Sequence, residues 1–180
     1  MKKITLALAA SGLLMGSTAA MAAGPNTITF MGEVSDQTCE VVINGNAANP
    51  IVLLPTATTA ELSAAGSTAK ETVFTLGLTG CTVPTGILTS KTKFVGNSVD
   101  VNGNLANVAA SGATNVALQL LDAPSGSPID LNVGKFVSGP SIATGQTEGA
   151  IDYAVQYISV DGGATAGPVM GTVQYAITYQ

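Results

Sequence analysis

Two cysteines, Cys39 and Cys81, are the only thiols in the 180-residue chain. Neither has a C-x-x-C partner, and the chain has no histidine, so a redox pair or a metal site is disfavoured. In an exported protein one pair reads as one disulfide, and closing a loop of about 43 residues would contribute roughly 4 kcal/mol. Ser67-Thr68-Ala69-Lys70 matches the S-x-x-K spacing of serine acyl-enzymes. That chemistry also needs S-D-N and K-T-G elements, and Lys91-Thr92-Lys93 lacks the glycine. Glu33, Asp36 and Glu40 cluster near the first cysteine. Strand alternation would put such residues on a solvated face, and they make a weak glycosidase pair. No phosphate-binding glycine loop and no metal-ligand cluster stands out. We therefore expect no catalytic, cofactor-binding or metal-binding residues, no cofactor, and no enzyme.

Composition narrows the classes further. Lys2 and Lys3 precede an apolar run over residues 4–14, and Ala20-Met21-Ala22 supplies small residues where a signal peptidase reads. Residues 1–22 are read as a signal peptide, since the run is too short to span a bilayer. The remaining chain has four lysines, no arginine and eleven carboxylates, a net charge of −7. Nucleic acid is excluded as a partner, because phosphate neutralisation needs clustered cations. Charged residues are only 9% of the chain, so much of the surface is expected to be covered in use.

The elements that would position these residues are strands. Period-two alternation recurs between turn signals. Ile28 and Phe30 share one face over residues 27–34; Phe74, Leu76 and Leu78 share another just before Cys81. Val116, Leu118 and Leu120 form a third set, and Ile151, Tyr153, Val155 and Tyr157 a fourth. Shorter apolar runs cover 41–43, 51–54 and 99–101, the first and last ending at Asn44-Gly45 and Asn102-Gly103 turns. The clearest pattern is the last: Val169, Gly171, Val173, Tyr175, Ile177 and Tyr179 alternate with polar or small residues, predicting a long strand over 169–180. Residues 59–69 predict at most a short helix or 3₁₀ turn, broken by Gly66. The fold class is all-β, an immunoglobulin-like sandwich in one domain.

Three pieces carry a resemblance. They are Thr27-Ile28-Thr29-Phe30-Met31-Gly32-Glu33-Val34 with Cys39 five residues on, the Leu78-Thr79-Gly80-Cys81 segment, and an ending with Gly167 fourteenth from the C-terminus and Tyr179 penultimate. Together they resemble the pilins of chaperone–usher fimbriae. The run Leu53-Leu54-Pro55-Thr56 is most similar to major subunits of the uroepithelial-adhesin type of fimbria, which are related to type 1 fimbriae. The resemblance implies an incomplete sandwich lacking its last strand, completed by a donor strand from a neighbouring subunit. It implies residues 23–31 as the donor arm, with Asn26, Ile28 and Phe30 in the donor strand, and 32–180 as the pilin domain. The acceptor edge, which also binds the chaperone, would comprise Gly167, Val169, Gly171, Val173, Tyr175, Ile177 and Tyr179. Implied partners are identical or related pilin subunits, a periplasmic chaperone, an outer-membrane usher and a tip adhesin. The implied location is a cell-surface fimbrium reached through the periplasm. On the residues alone, 27–34 reads more readily as the first strand of the domain's own sheet than as an arm that pairs with another molecule's sheet edge. The implied role is a major structural subunit. The alternatives are a minor or adaptor pilin, or a carbohydrate-binding adhesin in which Tyr153 and Tyr157 contribute to a sugar site.

Overall fold

The computed structural model describes residues 34–48 and 50–180. The expected signal peptide and donor arm, with Gly24, Asn26, Ile28, Phe30 and Glu33, lie outside the described residues. Eight strands follow in order: β1 (Glu40–Ile43), β2 (Ser67–Thr79), β3 (Ser90–Gly96), β4 (Leu105–Ala106), β5 (Ala117–Leu121), β6 (Phe136–Ser138), β7 (Gly149–Ser159) and β8 (Val173–Tyr179). They form two antiparallel sheets, β1-β2-β7-β5-β4 and β6-β3-β8.

Alternation decides which side chains meet between the sheets. From the larger sheet, Phe74, Leu76, Leu118, Leu120, Tyr153 and Val155 enter the core; from the smaller, Phe94 does so, with Val137 and Ile177 packed against it. Leu76, Tyr153 and Ile142 are fully shielded from solvent. The Tyr153 hydroxyl donates to the Ser138 carbonyl at 2.6 Å, so its one polar atom is satisfied inside the sandwich. Burial raises its pKa above the ordinary tyrosine value, partly offset by a contact with Thr92.

Four expectations change, one of them the run 51–54, which is extended but belongs to no strand. Residues 59–69 hold turns and no helix, and β2 already begins at Ser67. Only Leu62 of that stretch is buried, so no apolar stripe rewards a helix, and Gly66 takes a left-handed φ of 74°. The last strand is regular only from Val173. Its partner β3 ends at Gly96, so the upstream residues have no ladder to join. They are instead held by Asn107, whose amide donates to the Pro168 carbonyl and whose oxygen accepts from Met170 N. Residues 99–101 form no strand; Val99 makes a single bridge to Leu105. Asp100 instead accepts from the Asn102 and Asn104 amides, closing the turn at Gly103.

A candidate acceptor groove at the open edge of the sandwich

Strand β8 lies at the edge of the smaller sheet, paired with β3 on one side only. Among the described residues no strand pairs with its other side. Facing that side across the sandwich edge is the extended segment 50–57, which belongs to no strand. Its side chains alternate: Val52 and Leu54 are half-buried against the core, while Ile51 and Leu53 are exposed. Pro50 and Pro55 bracket the run, as suits an edge that cannot donate at every residue.

Between these walls lies an apolar cavity of about 230 Å³. Pro50, Val52 and Leu54 form one wall; Gly171, Val173 and Tyr175 form the other. Phe74, Phe94, Leu118 and Val155 lie on the floor. The same two segments run on into a second cavity of about 540 Å³, between Thr56, Thr58 and Leu62 on one side and Gly167, Pro168 and Val169 on the other. From Gly167 to Tyr175 an extended chain spans about 30 Å at roughly 3.3 Å per residue. No charged residue lines either cavity. Tyr157 lies beside the second, and burial raises its pKa.

The glycines shape the groove. A Cβ on Gly171 would sit 3.0 Å from Leu105 Cβ and 3.3 Å from a Leu118 methyl, so only hydrogen leaves the floor open. A Cβ on Gly167 would fall 2.5 Å from the Ala113 amide nitrogen, which fixes glycine there by close backbone approach. Toward the chain end the groove closes. Ile177 and Tyr179 pack with Cys39, Val41 and Leu88 against a second cluster of Leu78, Cys81 and Ile142. The Cys39–Cys81 disulfide, 42 residues apart in sequence, ties β1 to the end of β2 at this point.

One charged device supports a wall. Glu61 accepts from the Thr58 amide at 2.7 Å and from its hydroxyl at 2.9 Å, and pairs with Lys70 Nζ at 2.7 Å. Lys70 first, then the Thr58 bonds, lower its pKa from an ordinary 4.5 to about 2. Lys70 is thereby committed to an ion pair on a strand, and Ser67 opens the same strand, so the helix that an S-x-x-K centre needs is missing. Asp36 and Glu40 are exposed. Among the described residues no three acidic, cysteine or histidine side chains converge on a metal site.

The structure thus brings Gly167, Val169, Gly171, Val173 and Tyr175 to one wall of the groove, with Ile177 and Tyr179 continuing the same edge into the closed end. The opposite wall was read in the sequence only as a strand of the domain, not as part of the acceptor. Its signal was present in Val52 and Leu54 alternating between two prolines. Tyr153 and Tyr157 do not form a sugar platform. Tyr153 is 0% exposed, and Tyr157 belongs to the core side of β7.

Residues 28–180 match the family model described as "Fimbrial protein". The chain is 38% identical to the F17 fimbrial protein of Escherichia coli, over 93% of this chain and 94% of that one. It is 36% identical to the major fimbrial subunit SMF-1 of Stenotrophomonas maltophilia, over 93% and 99%. Among solved structures it resembles the P pilus rod subunit PapA, with TM-score 0.57 and 17% identity over 78% of this chain and 99% of that one. It also resembles a chaperone–usher pilus, with TM-score 0.59 and 20% identity over 89% and 98%. The chain belongs to the fimbrial protein family, and its fold is the incomplete immunoglobulin-like sandwich of the chaperone–usher pilins it resembles. Members of the family are structural subunits of surface fimbriae.

Proposed function

We propose that the chain is the major structural subunit of its fimbrium and polymerises by donor-strand exchange, with no catalytic role. The observation that carries this reading is the groove: an apolar trough of about 230 Å³ beside a strand edge without a partner strand among the described residues. Bare backbone N–H and C=O groups along such an edge are costly, and an added strand relieves them while its alternate side chains fill the trough. A neighbour's residues 23–31 supply that strand, with Ile28 and Phe30 directed into the floor and Asn26 pairing along the backbone. The residues from Gly167 to Tyr179 form the acceptor. After export, with residues 1–22 removed, a periplasmic chaperone covers the same edge until the outer-membrane usher exchanges it for the next subunit's arm. Related pilins and a tip adhesin complete the filament. A relative named a major fimbrial subunit matches almost end to end, over 93% of this chain and 99% of that one, and one named a minor fimbrial subunit matches at 34% identity over 84% and 73%; the fuller match favours the major role.

A synthetic peptide of residues 23–31 tests the reading. It should bind the subunit saturably and raise its resistance to denaturant, whereas the same peptide with Ile28 and Phe30 replaced by Asp should do neither. Equal binding of both peptides would contradict it.

A further inference from the structure

Building on the donor-strand reading above, we infer that Lys70 is a positioning residue for strand uptake. A β-bulge sets it out of the ladder, and its ammonium clamps the 58–62 turn that walls the second groove cavity before any strand arrives.

Strand β2 pairs with β7 in one register except at one place. Ala69 faces Tyr157 and Thr72 faces Val155, so Lys70 and Glu71 together oppose Gln156. Lys70 takes a left-handed φ of 54° there. A bulge whose first residue is left-handed ordinarily carries glycine at that position, because a side chain there is strained. The sheet alone would be served as well by glycine. A strained side chain kept at such a point indicates a local task for that side chain.

The task is visible in what the bulge aims at. Lys70 Nζ meets Glu61 Oε1 at 2.7 Å. The other carboxylate oxygen accepts from the Thr58 amide at 2.7 Å and from its hydroxyl at 2.9 Å, and that hydroxyl accepts from the Glu61 amide at 3.3 Å. Both oxygens of Glu61 are thereby used, and the turn is fixed to β2 through Lys70. Glu71 serves a different loop, accepting from the Ser125 amide at 2.7 Å.

Little else holds this turn. Residues 58–66 belong to no strand, and Leu62 is their one buried side chain. Backbone bonds from Gly163 to Ser63 and from Ala164 to Leu62, at 3.0 and 3.3 Å, secure only its far end. Yet Thr58, Thr59 and Leu62 form one side of the 540 Å³ cavity, opposite Gly167 and Val169. The ion pair is partly exposed, 35% for Lys70 and 38% for Glu61, and such pairs add little to global stability. Its effect is therefore local. A segment held by so few contacts opens at low free-energy cost, and an open wall lowers the fraction of subunits ready to take up a strand. The association rate falls by that fraction. Dissociation starts from a wall already ordered by its occupant, so it does not change.

Lys70→Gly separates this role from a structural one, since glycine keeps the bulge and relieves its strain. The denaturant midpoint of that variant should equal or exceed the parent's. Its association with labelled 23–31 peptide should slow by at least about threefold at an unchanged dissociation rate. Lys70→Arg, which keeps the cation, should associate at the parent rate. Amide hydrogen exchange in Lys70→Gly should accelerate at Thr58 and Glu61 and stay unchanged at Leu76 in the core. Parent-rate association in Lys70→Gly, equal slowing in Lys70→Arg, or a lowered midpoint with faster dissociation overturns the inference. If the parent itself takes up no peptide, the donor-strand reading fails instead. Exchange at Thr58 and Glu61 then decides whether Lys70 holds the wall, and parent-level exchange in Lys70→Gly overturns it.

Discussion

Phe94 of β3 and Tyr153 of β7 meet edge to face across the sandwich, their ring centroids 5.0 Å apart and their planes at 89°. Phe74 completes the stack 5.7 Å from Tyr153. Phe94 and Phe74 also line the groove, so the core and the candidate site share side chains. Phe94→Ala should therefore cost about 3–5 kcal/mol of stability and weaken uptake of the 23–31 peptide. Tyr153→Phe removes only the hydroxyl bonded to Ser138 and should cost about 1 kcal/mol with peptide uptake preserved. Guanidinium unfolding of the peptide-bound subunit separates them; equal losses would contradict this division.

The groove floor depends on a missing side chain. Gly171→Leu would place atoms where a Cβ alone already approaches Leu105 at 3.0 Å. The branched remainder then occupies the trough meant for a donor side chain. Peptide uptake should fall at least tenfold, which corresponds to about 1.4 kcal/mol. Titration with labelled peptide checks it, and undiminished affinity would show that the strand does not enter there.

Removing the disulfide by Cys39→Ser with Cys81→Ser releases a loop of 42 residues' separation. The chain-entropy model gives a loss of about 4 kcal/mol, which for a one-domain protein is a large share of total stability. The closed end of the groove, where Cys39 packs with Tyr179, should loosen with it. Denaturant midpoints of oxidised parent and double variant measure this. Coincident midpoints would contradict it.

The Glu61 cluster gives a pH signature with a defined sign. The carboxyl titrates near 2 in the folded protein against an ordinary 4.5. A group lowered on folding contributes stability above its unfolded value, and that contribution fades as pH falls from about 4.5 toward 2. Glu61→Gln should abolish the part of the acid-side slope that falls in this window and loosen the 58–62 turn. Titration of the Glu61 side chain by NMR reads the value directly; a midpoint near 4.5 would remove the argument.

The strands that carry apolar residues at period two were legible in the sequence: Phe74, Leu76 and Leu78 in β2, Ile151 to Tyr157 in β7, and Leu118 and Leu120 in β5. The Asn44-Gly45 turn was legible as well, with both residues at positive φ. Strand β3 was not, because two of its inward residues are Ser90 and Thr92. Buried hydroxyls carry no hydropathy signal; the Ser90 one is satisfied by the Pro140 carbonyl. Strand β6 is three residues long and too short to show a period. The C-terminal wall of the groove was read correctly as alternation, but its regular strand starts four residues later than the alternation. Side-chain periodicity reports burial, and burial at Val169 and Gly171 comes from the groove wall and not from a sheet. The opposing wall was read as a strand over 51–54, since two prolines and two half-buried residues do not reveal that the run pairs with nothing in the described chain.

The central claim is that Ile28 and Phe30 belong to a neighbour's core. The direct measurement is a chaperone pull-down beside a filament count for the variant with both residues replaced by Asp. Burial of each side chain in the groove should contribute roughly 1.5–3 kcal/mol, and an unpaired charge there is costly. The account predicts that the variant is captured by its chaperone as well as the parent, since its own acceptor groove is intact, and that it yields no filaments. Loss of chaperone capture together with filaments would place the two residues in the subunit's own sheet, and filaments at the parent level would show that they seal no groove at all; either result contradicts the account.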